Sequence, residues 1–275
     1  MLGKSALAAF LIFLLSCQFQ KPAGSEKRYI ITSPEVAEIV CLLEEAENIV
    51  GITAECDYPT YLKEKTVVGN FGKVDFEKLI KLNPAIVFTA GLEQEALSSE
   101  LTKLGIRIEQ IHSNSIEEML DSIGRIGRII QQEERSRFVI DSLRQELQKI
   151  PKHRHSPLVY VEIYADPIMS ISSFSYVGEL VSLAGGTNIF SQLPRDYSRI
   201  DPEKVISANP EIIILTHPVT TKQEVSRRKG WQVISAVENR RIYNDEDVDP
   251  DLILRASPRF ILGIKELQKV MYETD

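Results

Sequence analysis

Several chemistries are missing from this sequence. It holds three cysteines and four histidines in 275 residues, with no CxxC pair and no Cys/His cluster, which argues against a structural zinc site. His153-x-His155 lies in the basic stretch Lys152-His153-Arg154-His155. That stretch reads as a solvated loop away from any cleft, so no metal site is expected. GxxxxGK[ST], GxSxG and HExxH are all absent, and with them the signatures of a phosphate-cradling loop, a nucleophile elbow and a zinc hydrolase. No catalytic residue is expected. Positive charge is not in excess either. The net charge of −7 is wrong for a general nucleic-acid binder, which needs clustered Lys and Arg. Tryptophan occurs once, while 7% aromatic and 26% charged residues are ordinary for a globular protein.

Long apolar runs are scarce. Ala6 to Leu15, preceded by Lys4, is too short to span a bilayer comfortably and follows a secretory signal pattern. Residues 1–16 are expected to be a signal peptide and the polar residues 17–27 a flexible tether. Leu14-Leu15-Ser16-Cys17 resembles the bacterial lipobox, which implies cleavage before Cys17 and a lipid on that residue. Cys41 and Cys56 remain. They could pair in an exported protein, but Cys41 falls on the apolar side of an expected helix, which favours two buried, unpaired thiols.

What the chain does have is one stretch used twice. Val74 to Thr89 reads VDFEKLIKLNPAIVFT and Ile200 to Leu215 reads IDPEKVISANPEIIIL. The offset is 126 residues, from Glu77 to Glu203, and seven of fourteen positions between Asp75–Phe88 and Asp201–Ile214 are identical. Asp75 and Asp201 can cap a helix, Pro202 suits its first position, and Asn83-Pro84 and Asn209-Pro210 stop it. Ile86-Val87-Phe88 and Ile212-Ile213-Ile214 then suit strands buried on both faces. Two copies are too few for a solenoid and indicate two lobes of similar build.

The remaining pattern fills those lobes. Arg28–Thr32, Asn48–Thr53 and Ile106–Ile111 read as strands of the first lobe, residues 28–114, with helices over Glu35–Ala46 and Leu97–Leu104. The AECDYP loop, Ala54–Pro59, and Phe71 follow strand ends, where α/β sheets place ligands. Ser115–Ile150 has helical periodicity throughout, opens on the cap pattern Ser115-x-x-Glu118, and is weakened by Gly124 and Gly127. It predicts a long connecting helix over 115–151, with a break near Gln131. The second lobe, 152–275, begins with a strand at Leu158–Ile163. Then come the serine-rich Ser170–Ser175 flanked by Tyr164 and Tyr176, a helix over Val177–Ala184, a strand at Arg241–Tyr243, an acidic loop at Asp245–Asp251, and a closing helical region over Leu252–Tyr272 interrupted at Pro258. The fold class is α/β: two similar lobes with central parallel sheets, joined by one long rigid helix, with the ligand cleft between them.

ITSPEVAEI, CDYP, VGNFGKVDFEKLIKLNPAIV, LAGGTNIF, DPEKVISANPEIIIL, WQVISAVENRRIY and DLILRASPR occur in an order and spacing that resemble the substrate-binding proteins of bacterial ABC importers. The resemblance is to the group serving cobalamin, haem and ferric siderophores, and it covers roughly Tyr29 to Val270. It implies two lobes on a long helix, a shallow cleft and little hinge motion. It also implies that Glu77 and Glu203 dock on Arg pockets of a permease dimer, although an acid in a first helical turn also simply suits the helix dipole. Phe71 and Tyr197 match positions where cobalamin-binding members set large aromatics against the corrin. Tyr58 and Tyr164 are further aromatic candidates. Asp251 and Arg255 match polar ligand contacts, although an Asp–Arg pair one turn apart is also an ordinary helical couple. Arg259 reads as structural.

The expected role is therefore a monomeric, exported protein. It is anchored through Cys17 on the outer side of a membrane and carries a corrinoid to an ABC permease whose energy comes from separate ATPase subunits. It needs no cofactor and binds no nucleic acid. A ferric siderophore or haem is the alternative cargo. A two-lobe metal-cluster enzyme is a distant one, because Cys41 and Cys56 are too few for a cluster and both fall in one lobe.

Overall fold

Both copies of the repeat fold as the sequence requires in the computed structural model, which describes residues 27–70, 73–90 and 95–273. The signal peptide, Cys17 and Phe71 lie outside those residues. The first copy follows β1 (Tyr29–Ile31), α1 (Pro34–Leu42), β2 (Ile49–Thr53), β3 (Val67–Asn70) and β4 (Lys73–Val74). It forms α2 (Phe76–Lys81) and β5 (Ile86–Thr89), and α3 (Glu95–Lys103) and β6 (Arg107–Gln110) complete the lobe. Asp75 accepts the Lys78 amide, and Asp201 accepts the Glu203 amide. The stop signals work by a more specific route than proline avoidance alone. Asn83 and Asn209 adopt left-handed backbone, φ 45° and 48°, which asparagine tolerates better than most residues.

The N-terminal sheet runs β4-β3-β2-β1-β5-β6. All its pairs are parallel except β3 with β4. β1 and β5 are buried at every position, as expected for strands covered on both faces.

The connecting segment is two helices rather than one rod. α4 (Ile116–Ile129) and α5 (Glu133–Gln148) separate at Gln131, whose φ is 63°. They fold back on each other, with Arg144 paired to Glu117. Gly127 is a contact surface more than a weak point. A Cβ there would lie 2.5 Å from the Ser136 side chain, so glycine permits the close crossing. α5 does the joining. Near its start Arg135 pairs with Glu44 at 3.0 Å and donates to the Leu42 carbonyl. Beyond its end the Pro151 carbonyl accepts from Gln268. At 1.5 Å per residue it spans about 24 Å.

The second lobe contains β7 (Leu158–Ala165), β8 (Ile168–Ile171), α6 (Tyr176–Leu183), β9 (Thr187–Asn188), β10 (Tyr197–Arg199), α7 (Pro202–Ala208), β11 (Ile212–Leu215), α8 (Lys222–Ser226), α9 (Ser235–Glu238), β12 (Ile242–Tyr243), α10 (Pro250–Leu254) and α11 (Phe260–Tyr272). Its sheet order is β10-β8-β7-β11-β12, with β9 beside β7. β7, β11 and β12 run parallel, while β8 is antiparallel to β7 and β10.

One apolar cluster crosses from lobe to lobe, from Ile31, Val36 and Met119 to Ile171, Tyr176, Ile253 and Phe260. Two smaller clusters lie behind the sheets, around Trp231 and around Leu79. Shared core of this kind ties the lobes together. Cys41 and Cys56 are both unpaired. Burial pushes the Cys56 thiol up to about 12, so it is an inert thiol rather than a reactive one.

α6 depends on one close approach. A Cβ on Gly178 would lie 2.0 Å from the Ser172 carbonyl oxygen. Gly→Ala inside a helix normally stabilises by about 1 kcal/mol. Gly178→Ala should do the reverse, costing roughly 1–3 kcal/mol by overpacking. A raised melting temperature in thermal unfolding would show that the 172–175 loop yields freely.

Candidate functional site

The two lobes meet at charges supplied by the DLILRASPR string on one side and the α1 and AECDYP segments on the other. Arg255 ends α10 and donates to Asp57 at 2.9 Å across the lobe boundary. It also pairs with Asp251 at 2.7 Å, one helical turn back, and lies 3.9 Å from Glu38. Arg259 grips Glu38 with two hydrogen bonds of 2.8 and 2.6 Å. The Arg259 guanidinium also sits 4.0 Å from the centre of the Tyr58 ring, a cation–π contact. Glu38 is only 4% exposed. A carboxylate that far from water is stable only when paired.

This arrangement divides the polar candidates. Tyr58, Asp251 and Arg255 are brought together, and Arg259 has a structural role as expected. Arg255 and Asp251, however, are ion-paired to each other, and Arg255 is further engaged by Asp57. The i, i+4 couple is real, and it forms one part of a larger inter-lobe network. Burial alone would raise the Asp57 carboxyl, but the hydrogen bond and charge of Arg255 hold it below the ordinary value. Asp251 moves the other way. Burial raises it, and the neighbouring Asp249 and Asp57 add to that against the pull of Arg255.

The aromatic candidates among the described residues are exposed. Tyr58, Tyr164 and Tyr197 are 43%, 50% and 41% accessible. Tyr164 pairs with Met169 and Tyr197 with Ile171 on opposite edges of β8. They therefore share one face of the sheet, two residues apart along β8. Burial, followed by the Asp196 charge, raises the Tyr197 phenol. Glu77 and Glu203 are both exposed in the first turns of α2 and α7.

Three features were not anticipated. Phe174 is 72% exposed in the loop between β8 and α6. Ser172 and Ser173 tie that loop by backbone hydrogen bonds to Asp196 and Ser191, next to Tyr197. An aromatic inside a serine-rich stretch was the available signal. The second is Glu38, whose position on α1 gave no signal. The third is a buried cluster behind the second sheet. Glu162 is fully buried and accepts from Arg228 at 2.5 and 2.7 Å, from the Tyr160 hydroxyl at 2.9 Å, and meets His217 at 3.2 Å. Its signal was a charge within the apolar run VYVEIY.

The basic boundary loop is held as a loop. His153 stacks on Tyr272, and His155 meets Glu211 at 3.1 Å. Among the described residues, no group of three or more His, Cys, Asp or Glu is placed to hold a metal ion. No described helix is long and apolar enough to cross a membrane.

Comparison with known proteins adds three findings. The sequence matches the family model described as "Periplasmic binding protein" over residues 30–248. Among curated relatives, an uncharacterized ABC transporter substrate-binding lipoprotein of Bacillus subtilis is 28% identical over 257 residues, covering 90% of this chain and 80% of the relative. A vitamin B12-binding protein of Vibrio cholerae is 24% identical over 267 residues, covering 95% and 94%. Among solved structures, the periplasmic heme-binding protein RhuT of Roseiflexus shares the fold, with a TM-score of 0.79 at 19% identity, over 90% of this chain and 98% of that one.

Proposed function

This chain belongs to the periplasmic binding protein family, and on that premise we propose that it captures a corrinoid of the cobalamin type for an ABC importer. In this reading Cys17 carries a lipid anchor on the outer face of the membrane. Residues 17–27 form the tether, the lobes 28–114 and 152–275 hold the ligand between them with little hinge motion, and Glu77 and Glu203 dock on the permease dimer.

The charge balance of the cleft carries the choice of ligand. Arg255 and Arg259 are the guanidiniums that could grip an anionic chelate, and both are already held by Glu38, Asp57 and Asp251. Three carboxylates against two arginines leave surplus negative charge, which opposes a ligand bearing carboxylates of its own. A corrin ring with neutral amide arms suits exposed tyrosines, which offer flat apolar area together with a hydroxyl. The vitamin B12-binding relative at 24% identity over nearly its full length supports the same ligand. Haem or a ferric siderophore is the second reading. It rests on Arg255, which a ligand carboxylate could take by displacing Asp57 from their single 2.9 Å bond.

Titration of the mature chain with cyanocobalamin, haem and a ferric chelate separates these. The expected result is one-to-one, sub-micromolar binding of cyanocobalamin. Tyr58→Ala and Tyr197→Ala should each weaken it about tenfold, or ~1.4 kcal/mol. Tight haem or chelate binding with no corrinoid binding would remove the corrinoid and leave the transport role standing.

A further inference from the structure

Beside each exposed glutamate lies a pocket, and the two pockets share the same four positions of the repeat. One, of about 510 Å³, is lined by Lys73, Val74, Asp75 and Lys78 together with residues of the β2 and β3 ends. The other, of about 250 Å³, is lined by Arg199, Ile200, Asp201 and Lys204 together with the 189–193 loop. These four residues correspond pair by pair at the 126-residue offset of the repeat: Lys with Arg, Val with Ile, Asp with Asp, Lys with Lys. The rest of each lining differs, so the shared part is what the two lobes have in common at this point.

Each pocket brings two cations to one carboxylate, and that carboxylate is already used. Asp75 and Asp201 accept backbone amides as helix caps, so the helix ends are closed to an outside anion. Lys78 reaches Asp75 only at 3.9 Å. Lys73, Arg199 and Lys204 form no ion pair among the described residues. The pockets therefore hold spare positive charge on a chain of net charge −7. Each lies next to an exposed carboxylate, Glu77 or Glu203, that directly precedes its lysine in the sequence.

We propose that these two sockets receive acidic side chains from a two-fold symmetric membrane partner. Each docking point is then a double exchange. A basic residue of the partner meets Glu77 or Glu203, and an acidic residue beside it enters the socket of Lys73 and Lys78 or of Arg199 and Lys204. The inference rests on the permease-docking reading above and adds a requirement to it: each half of the partner's face must present a base and an acid side by side. Alternating charge of this kind fixes register and rejects partners of a single sign.

The test uses the full-length chain and ABC permease dimers with their ATPase subunits in nanodiscs, reading ATP hydrolysis against added protein. Lys78→Glu with Lys204→Glu should raise the half-maximal concentration at least about tenfold, with each single change giving a part of that. Acid-to-Lys reversal on the permease should restore docking of the double variant. Glu at either position suits a first helical turn, so an unchanged melting temperature is the fold control. If the double reversal leaves docking within twofold while Glu77→Ala with Glu203→Ala abolishes it, the sockets are idle and the docking reading survives. An effect confined to one lysine overturns the two-fold partner. Indifference to all four changes, or no permease responding to the unaltered protein, removes the docking reading and the sockets with it.

Discussion

Arg228→Met will destabilise the protein by roughly 3–5 kcal/mol, the range for leaving a buried charge without its partner. Arg228 supplies two of the hydrogen bonds that hold Glu162, and Glu162 is fully buried. The Tyr160 hydroxyl and His217 remain, but neither brings the permanent charge that a buried carboxylate needs. Arg228 also lies 4.7 Å over the Trp231 ring, so part of the loss is packing, and methionine retains some of that. In a chain of this size the change corresponds to a fall of roughly 10 °C in melting temperature. Adding Glu162→Leu to Arg228→Met should recover most of it, because an apolar pair of similar volume needs no counter-charge.

The same group predicts an acid limit. Burial would raise the Glu162 carboxyl, but Arg228, then His217 and Tyr160, bring it below its ordinary value of 4.5. A carboxyl lowered on folding stabilises the protein above the unfolded value, and that contribution is lost as pH falls through the folded one. Stability measured by urea unfolding should therefore hold flat from neutral pH to about 5 and decline below 4.5. In Glu162→Leu/Arg228→Met the decline should be shallower. An equal slope in both proteins would assign it to other acids.

Arg259→Ala is the second large effect, expected at about 3 kcal/mol. It removes both short bonds to Glu38 and the cation over Tyr58. It should cost less than the Arg228 change because Arg255 already stands 3.9 Å from Glu38 and can move in. That substitution has a signature. Arg255→Ala with Arg259→Ala should exceed the sum of the single changes by about 1 kcal/mol or more, the coupling expected of residues sharing one partner. Additivity in thermal unfolding would mean that Arg255 does not serve Glu38.

Local patterns could be read from the sequence, and distant pairings could not. The helix–turn–strand repeat was legible because caps, stop signals and buried strands are written in adjacent residues. Asp75, Asn83 and Ile86 act within a few positions of one another. Glu162 carried a local signal too, a charge inside an apolar strand, but its partners Arg228 and His217 are distant and the cluster was not anticipated. Glu38 was not, because it lies on the side of α1 opposite Val36, Ile39 and Val40, where an acid reads as solvated. Its partners Arg255 and Arg259 come from the second lobe. Gly127 misled for a similar reason: glycine in a helical pattern reads as weakness until the partner helix that needs the space is known. Tyr197 was chosen by resemblance, while Tyr58 was also marked by its loop at a strand end and Tyr164 by flanking a serine-rich stretch; nothing in their local sequence separates a ligand wall from a core face.

The inter-lobe clamp also constrains the order of events as the chain is made. Glu38 and Arg259 are 221 positions apart, and Asp57 and Arg255 are 198. A chain emerging from its N-terminus completes β1 to β6 long before either arginine exists. Until then the acids of the first lobe face water, and the surface that later forms one wall of the cleft stays wet. The inter-lobe clamp is thus a late product of assembly, completed only when α10 and the turn before α11 meet the first lobe. A chain stopped short of α10 would lack both arginines of the clamp and leave Glu38 and Asp57 without these partners.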